Sequence, residues 1–118
     1  MKINNDMLLG VLHEKLLKDG MLLINISGSS MSPTFQHGDS VKIFIYNFDD
    51  LKIGDIIAYK KFNDHLTVHR IKDIIKRKSA NYILTQGDNN TQMDKYYITK
   101  DEYWGKIELP IKHIVEII

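Results

Sequence analysis

The residues best suited to chemistry lie in a short serine-rich stretch, Ile26 to Thr34, which follows an apolar run. Gly28 can adopt a positive φ angle without steric cost, while Pro33 fixes its own φ angle and restricts the residue before it. Ser30 lies between these constraints, so its hydroxyl group can point outward while nearby backbone N–H groups face a developing oxyanion. Glycine, serine and proline are also ordinary turn residues, and a simple turn is the alternative interpretation.

His69 is the residue that could activate this serine. Serine is a weak nucleophile at neutral pH unless a positioned base accepts its proton, and imidazole, with an ordinary pKa of about 6.5, suits that task. His69 follows Ser30 by 39 positions, in the stretch Val68 to Ile71. The two side chains meet only if the strand that carries His69 lies beside the serine turn. A single histidine in a strand is also commonly a packed or surface residue.

Three further stretches, each opening with Gly-Asp, accompany the serine and histidine segments. They are Gly38 to Val41, Gly54 to Ile57 and Gly87 to Asn90, the last followed by Asp94. In this order and at this spacing, the segments together resemble the catalytic core of type I signal peptidases, in the superfamily that includes the LexA-like self-cleaving repressors. The resemblance runs from about Ser27 to Ile107 and covers most of the chain.

The resemblance implies a catalytic role for three residues. Ser30 matches the nucleophile. His69 matches the general base, which is a lysine in the bacterial branch and in the LexA-like repressors but a histidine in the endoplasmic-reticulum and archaeal types. Asp94 occupies the place of the acidic residue that orients the imidazole and stabilises its charge. Asp88 is the alternative, although its Gly-Asp-Asn-Asn sequence is also a good turn in which Asp88 holds the loop in shape.

The same resemblance bears on the oxyanion hole and the substrate. In many signal peptidases a serine or threonine two residues before the nucleophile donates to the oxyanion, but here that place is Gly28. Ser29, Ser27 or the backbone alone is left for this task, and losing one such donor typically costs about 100-fold to 1000-fold in rate. We interpret Met31 and Pro33 as substrate contacts. The implied substrate is an extended peptide paired along a strand edge, with small residues at the cleavage position.

Composition agrees with a single domain, residues 1–118. A chain of 118 residues with 43% hydrophobic residues can bury roughly two-thirds of its surface on folding. The formal net charge of +1 gives no reason to expect nucleic acid as a partner. The absence of cysteine excludes disulfides and thiolate metal sites. Four of the five histidines, His13, His37, His65 and His113, are scattered along the chain, so we expect neither a metal nor another cofactor.

The chain divides into an N-terminal helical part, residues 1–20, and a β core, residues 21–118. The spacing of apolar residues predicts an amphipathic helix over Asn5 to Asp19, ended by Gly20. Its predicted apolar face consists of Leu8, Val11, Leu12 and Leu16. We interpret this helix as a cover on the edge or mouth of the sheet, and a substrate-recognition or partner-docking helix is the alternative.

Short apolar runs between turn signals predict a mainly β fold, in which a curled antiparallel sheet forms a partly open barrel. The predicted strands are Met21 to Ile26, Ser40 to Tyr46, Ile56 to Lys61, His65 to Ile75 and Tyr82 to Gln86. Phe62 to Asp64 is a predicted hairpin turn. Ile107 to Ile118 is predicted as a final buried element that, if exposed, would serve dimerisation or peripheral membrane contact.

The predicted function is that of a soluble serine endopeptidase that acts in trans, removing a leader or signal-like segment from a precursor. Self-cleavage is not expected, because only 29 residues precede Ser30 and they contain no Ala-Gly bond. No run approaches the roughly 20 apolar residues of a membrane span, and no secretory signal is present, so we expect a cytoplasmic location. Two alternatives are an inactive peptide-binding module of the same fold and an accessory subunit that needs a membrane partner. The sequence gives no oligomeric state.

Overall fold

A computed structural model describes residues 5–62 and 65–109, and these form one helix and six strands. The helix α1 covers Asn5–Asp19, as predicted. The strands are β1 (Met21–Asn25), β2 (Ser40–Phe44), β3 (Ile56–Tyr59), β4 (Thr67–Lys76), β5 (Asn81–Gln86) and β6 (Tyr103–Glu108). A single 3₁₀ turn, Phe48–Asp50, follows β2. The expected mainly β fold with one N-terminal helix is confirmed.

The six strands form one antiparallel sheet in the order β1-β2-β6-β3-β4-β5. The sheet is open, with β1 and β5 at its edges. β6 lies between β2 and β3 and therefore joins the half of the sheet nearest the N-terminus to the β3–β4–β5 meander. No strand was predicted at this position, so the central connection of the sheet was missed.

Strand β3 shows how the sheet separates two hydrophobic cores. All four of its residues are buried, because alternate side chains point to opposite faces and both faces are covered. Ile56 and Ala58 contribute to the first core, which lies beneath α1. Ile57 and Tyr59 contribute to the second core, formed with residues of the 48–51 segment, β4, β5 and the chain before β6. Packing on both faces of the sheet thereby fixes the register between β3 and its neighbouring strands.

The face by which α1 contacts the sheet differs from the predicted one. Leu9 and Leu16 are buried and Leu12 is partly buried, whereas Leu8 is 48% exposed and Val11 is 63% exposed. The sequence of α1 carries apolar residues on most sides, and Leu9, Leu12 and Leu16 satisfy the helical spacing as well as the predicted set did. The spacing therefore could not choose between the two faces.

The ends of several elements also differ from the prediction. β1 ends at Asn25 and β2 at Phe44, each somewhat earlier than expected, while β4 begins at Thr67. Of the predicted hairpin turn, residues 63–64 lie outside the described residues. Residues 110–118 of the predicted final element lie outside them as well, and Ile107 is a buried residue of β6. Across the described parts of the chain, the helix is too short and too polar to cross a membrane.

Leu16→Ala tests the observed docking of α1. Leu16 has no exposed surface, so its truncation should lower the free energy of unfolding by about 2–5 kcal/mol. Leu17→Ala is the matched control, because Leu17 is 62% exposed and its truncation should change stability by less than about 0.5 kcal/mol. Urea denaturation of both variants gives the comparison. Equal losses would mean that α1 does not pack through the Leu9–Leu16 face.

Candidate active site

The turn that carries Ser30 follows β1 and is held at both ends. Ile26 and Gly38 close it, since Gly38 N–H donates to the Ile26 carbonyl at 2.8 Å and Ile26 N–H donates to the Asp39 carbonyl at 2.8 Å. Gly28 has the positive φ angle, +84°, that the sequence suggested. Met31, immediately after Ser30, is only 2% exposed and anchors the turn in the first core. Ser30 itself is half-buried.

Ser30, His69 and Asp94 form a continuous chain of side-chain contacts. His69 lies on β4, opposite Ile57 of β3, and is 8% exposed. Its Nε2 atom is 3.2 Å from Ser30 Oγ, and its Nδ1 atom is 2.6 Å from Asp94 Oδ2. A carboxylate at Nδ1 favours the tautomer with a proton there, which leaves the Nε2 lone pair directed at the serine hydroxyl. This arrangement is suited to removing a proton from Ser30.

Asp94, and not Asp88, is the aspartate that contacts His69. The Asp94 N–H group donates to the Thr85 carbonyl at 2.8 Å, which returns the chain to the end of β5 after the 87–93 loop. The Asp94 side chain is 11% exposed. Its Oδ2 atom also accepts hydrogen bonds from Thr85 Oγ1 at 2.7 Å and from the Tyr59 hydroxyl at 3.3 Å.

Asp88 forms a separate ion pair beside the site. Arg70 donates to it through Nε and Nη2, each at 2.8 Å, and the Thr34 hydroxyl also donates to it. The Arg70 guanidinium holds the pKa of the Asp88 carboxyl below its ordinary value, and Asp88 in turn raises the pKa of Arg70. Arg70 also donates to the Gly54 carbonyl at 2.8 Å. Asp88 therefore connects the loop after β5 to the serine turn and to β4.

The loop that contains Asp88 packs directly against the serine turn. Asn89 N–H donates to the Ser30 carbonyl at 2.8 Å, and Asn89 Nδ2 donates to the Ser29 carbonyl at 3.2 Å. A Cβ atom added to Gly87 would lie 2.6 Å from the Ser30 carbonyl oxygen and 3.1 Å from His69 Nε2. Only glycine fits at this position without displacing the turn or the imidazole.

The Ser30 N–H group is a backbone donor left open at the serine turn. Within residues 5–62 and 65–109, the Ser30 N–H group donates to no protein acceptor. The Gly28 N–H group is engaged, because it donates to His37 Nδ1 at 3.0 Å. Ser27 lines the groove next to Ser30, whereas Ser29 is exposed and does not line it. Among the described residues, Ser27 and Ser30 thus line the same groove, and the Ser30 N–H group has no protein acceptor.

An apolar groove of about 520 Å³ extends from Ser30. One wall comes from α1 through Leu9 and Leu12, and the opposite walls come from β1 and from residues 65–68. Of the two predicted substrate contacts, Met31 lines this groove although most of its surface is buried. Pro33 is exposed and lies outside the groove lining.

Sequence reasoning missed three side chains that hold the site together. Arg70 lies in the Val68 to Ile71 stretch beside His69, yet no partner could be assigned to it without the position of Asp88. Tyr59 and Thr85 gave no local signal, because both read as ordinary strand residues. Their contacts with Asp94 join positions 35 and 9 residues apart in the chain. In the described part of the chain, no cluster of three or more histidine, aspartate or glutamate residues could hold a metal ion.

A protein-family model matches most of the chain. The model of the family described as Peptidase S24-like matches residues 2–108. This range contains all three residues of the Ser30–His69–Asp94 chain of contacts and every strand of the sheet.

The chain is also similar to relatives named Signal peptidase complex catalytic subunit SEC11. It is 36% identical over 85 residues to that of Clavispora lusitaniae, an alignment covering 70% of this chain and 49% of the relative. For Debaryomyces hansenii the identity is 36% over 86 residues, with 70% and 50% covered. For Candida tropicalis it is 33% over 90 residues, with 74% and 52% covered. The chain spans about half the length of these relatives, and the predicted signal peptidase-like resemblance is confirmed.

Gly87→Ala tests the close approach of the loop to Ser30. The added methyl group should overpack the contact and lower the free energy of unfolding by about 1–3 kcal/mol. Gly10→Ala is the control, because Gly10 lies in α1 and a Cβ atom added there would have no other atom within 4 Å. Alanine at this position should stabilise the protein by about 0.5–1 kcal/mol. Urea denaturation should therefore show a lower free energy of unfolding for Gly87→Ala and a higher one for Gly10→Ala. A neutral Gly87→Ala would show that the loop and turn are not in contact.

Asp88→Asn tests the ion pair through its pH dependence. Because the pKa of Asp88 is lowered in the folded protein, its stabilisation is complete above the unfolded-state value of about 3.9 and is lost as the pH falls through the folded value. At pH 7 the variant should lose about 1.5–3 kcal/mol of stability, the range for a hydrogen bond to a charged group. Urea denaturation between pH 7 and pH 2 should show this difference narrowing below about pH 4. The exposed Asp101→Asn should show little difference at any pH, and a constant Asp88→Asn deficit would contradict the ion-pair interpretation.

Proposed function

The chain belongs to the Peptidase S24-like family, and from that membership we propose that it is a serine endopeptidase with Ser30 as nucleophile, His69 as general base and Asp94 as the orienting acid. The observation that carries the proposal is the contact chain from Ser30 Oγ through both ring nitrogens of His69 to Asp94 Oδ2, at 3.2 and 2.6 Å. Such a chain provides a nucleophile, a base within reach of it and a group that orients the base.

The proposed reaction proceeds through an acyl-enzyme. His69 Nε2 accepts the Ser30 proton while Oγ attacks the scissile carbonyl carbon, and the imidazolium then gives that proton to the departing amine as the C–N bond breaks. A water molecule next transfers a proton to His69 and attacks the Ser30 ester. The imidazolium returns this proton to Ser30 Oγ as the acyl C–O bond breaks, which releases the acid product and regenerates serine and neutral His69. Asp94 keeps its charge throughout and stabilises the imidazolium.

Oxyanion stabilisation is proposed to come mainly from the Ser30 backbone N–H group. Gly28 offers no hydroxyl group, and its own N–H is bonded to His37. Ser27 is the side chain that could add a second donor, since it lines the groove beside Ser30. An oxyanion hole with a single strong donor would give a slow enzyme, because each missing donor typically costs about 100-fold to 1000-fold in rate.

The proposed substrate is an extended peptide bound along β1. β1 pairs with β2 on one side only, and across the described residues no strand pairs with its outer edge. That edge adjoins the groove, so backbone pairing can hold the peptide while its side chains enter the apolar space between α1 and residues 65–68. The apolar lining favours apolar side chains before the cleaved bond. We propose cleavage in trans of a leader or signal-like segment, and the expected cytoplasmic location stays a prediction.

Partner-dependent catalysis is a second candidate, favoured by the exposed face of α1. Met7, Leu8 and Val11 are 64%, 48% and 63% exposed, and their helical spacing places them side by side. An apolar helix face of this kind is typical of a surface that meets another protein or a membrane. The SEC11 relatives are named as catalytic subunits of a complex, which agrees with such a mode of action.

Ser30→Ala, compared with the unchanged protein, is the test of the proposed activity. Both proteins are incubated with a diverse peptide pool, and new termini are identified by mass spectrometry. Termini that depend on Ser30 should appear with the unchanged protein and with the control Ser79→Ala, whose serine is exposed at the far end of the β4–β5 hairpin. Ser30→Ala should leave only residual turnover, at least about 1000-fold lower.

The other outcomes separate the alternatives. Equal peptide binding by all three proteins without cleavage would contradict the endopeptidase proposal and favour the inactive binding module. Cleavage that appears only after a partner fraction is added, and that still requires Ser30, would favour partner-dependent catalysis.

A further inference from the structure

The third hydrogen bond to Asp94 Oδ2 comes from a residue with no part in the proposed reaction. We propose that Tyr59 is a positioning residue, which acts through Asp94 to set the orientation and basicity of His69. This inference rests on the proposed function, since it assigns a task to Tyr59 within the same site. Tyr59 has no exposed surface, and its hydroxyl group is 3.3 Å from Asp94 Oδ2.

The partners of the Tyr59 hydroxyl all belong to one buried cluster. It lies 3.1 Å from Thr85 Oγ1 and 2.9 Å from the Tyr96 hydroxyl, in addition to the Asp94 contact. A carboxylate only accepts hydrogen bonds, so Tyr59 and Thr85 must donate to Asp94, and Tyr96 can donate to the Tyr59 oxygen. Three donors thus converge on one carboxylate oxygen, because His69 Nδ1 also contacts Oδ2. A carboxylate held in this way has little freedom to rotate.

The sheet fixes Tyr59 in this position. Ile57 of β3 lies opposite His69 of β4, and Tyr59 is two residues further along β3, so Tyr59 is the diagonal neighbour of His69 on the same face. Thr85 of β5 lies opposite Ile71 of β4, again two residues from His69. Three adjacent strands therefore present a phenol, an imidazole and a hydroxyl to one side of the sheet. The Tyr59 and His69 rings meet edge to face, with centroids 6.4 Å apart.

Tyr59 keeps its proton under working conditions. Burial raises the pKa of the Tyr59 phenol above its ordinary value, and the nearby Asp94 charge acts in the same direction. The pKa of Tyr96 is also raised by burial, so both phenols of the cluster stay neutral. The groups that contact His69 are then Asp94 at Nδ1, the Ser30 hydroxyl at Nε2 and the neutral Tyr59 ring. Tyr59 consequently keeps the O–H group through which it donates to Asp94.

This geometry has a specific consequence for the base. Hydrogen bonds from Tyr59 and Thr85 stabilise the Asp94 carboxylate and compete with the imidazolium for its charge. Without the Tyr59 hydroxyl, Asp94 should attract the protonated imidazole more strongly, and the proton should leave His69 at a higher pH. The carboxylate should also be less well oriented during proton transfer. Substrate binding should not change, because the cluster lies outside the groove lining.

Tyr59→Phe, with Tyr103→Phe as matched control, tests this inference. Tyr103 is a partly buried tyrosine of the same core, but its hydroxyl donates to the Tyr46 carbonyl at 2.9 Å, away from Asp94. The imidazole titration of His69 is followed by NMR in the three proteins. Its midpoint should rise by about half a pH unit in Tyr59→Phe and stay unchanged in Tyr103→Phe. In the peptide assay, kcat should fall about 10-fold with KM unchanged, and the acid limb should shift with the NMR midpoint.

The two readouts separate this inference from the proposed function. Absence of Ser30-dependent cleavage in the unchanged protein would count against the proposed function, whereas the NMR comparison needs no turnover. A Tyr59→Phe titration identical to that of Tyr103→Phe would overturn the inference, even with full peptidase activity. Should Tyr59→Phe fail to fold, Tyr96→Phe removes the hydroxyl group that shares a hydrogen bond with Tyr59 and should shift the midpoint by a smaller amount. An unchanged midpoint in that variant would equally overturn it.

Discussion

The contact between the 87–90 loop and the serine turn is the constraint on which the site depends. Gly87 brings the loop within a distance of Ser30 and His69 that no side chain allows. Asn89 then bonds to the Ser30 carbonyl, and Asp88 joins the loop to Thr34 and Arg70. Ser30, His69 and Asp94 come from different elements, and this contact holds them at hydrogen-bonding distance. The sheet supplies the rigid frame, but the loop determines where the serine stands relative to the histidine.

Two aspartates six positions apart receive different tasks from their surroundings. Asp88 is paired with a guanidinium that is partly exposed, so its charge is neutralised locally and serves to connect segments. Asp94 has no basic partner except His69 among the groups that bond to it in the described chain, and neutral hydroxyl groups surround the rest of its contact surface. A charge held by neutral donors remains available to an imidazolium, whereas a charge paired with arginine does not. This difference supports Asp94, rather than Asp88, in the orienting role proposed above.

Much of this site could be anticipated from local sequence, and the failures have physical causes. Gly28 and the Gly-Asp stretches form turns whose backbone angles depend on only a few neighbouring residues. Such turns can therefore be predicted from the local sequence. β6 was missed, and it contains Gly105, a residue type that is unusual inside a strand. That glycine is needed because a Cβ would lie 2.5 Å from the Phe44 carbonyl oxygen. The face of α1 and the partners of Tyr59 and Arg70 depend on the register of distant strands, which no local pattern contains.

The groove is formed by two parts of the molecule, helix α1 and the sheet. Leu9 and Leu12 form one wall, and the helix that carries them is joined to the sheet by Leu16 and by stacking of His13 on Trp104, with ring centroids 4.5 Å apart. A peptide that fills the groove contacts both parts, so its binding free energy includes the docking free energy of the helix. For the proposed peptide substrate, selectivity and helix stability are therefore linked quantities. Substitutions at the helix–sheet contact, remote from Ser30, would alter which side chains the groove accepts.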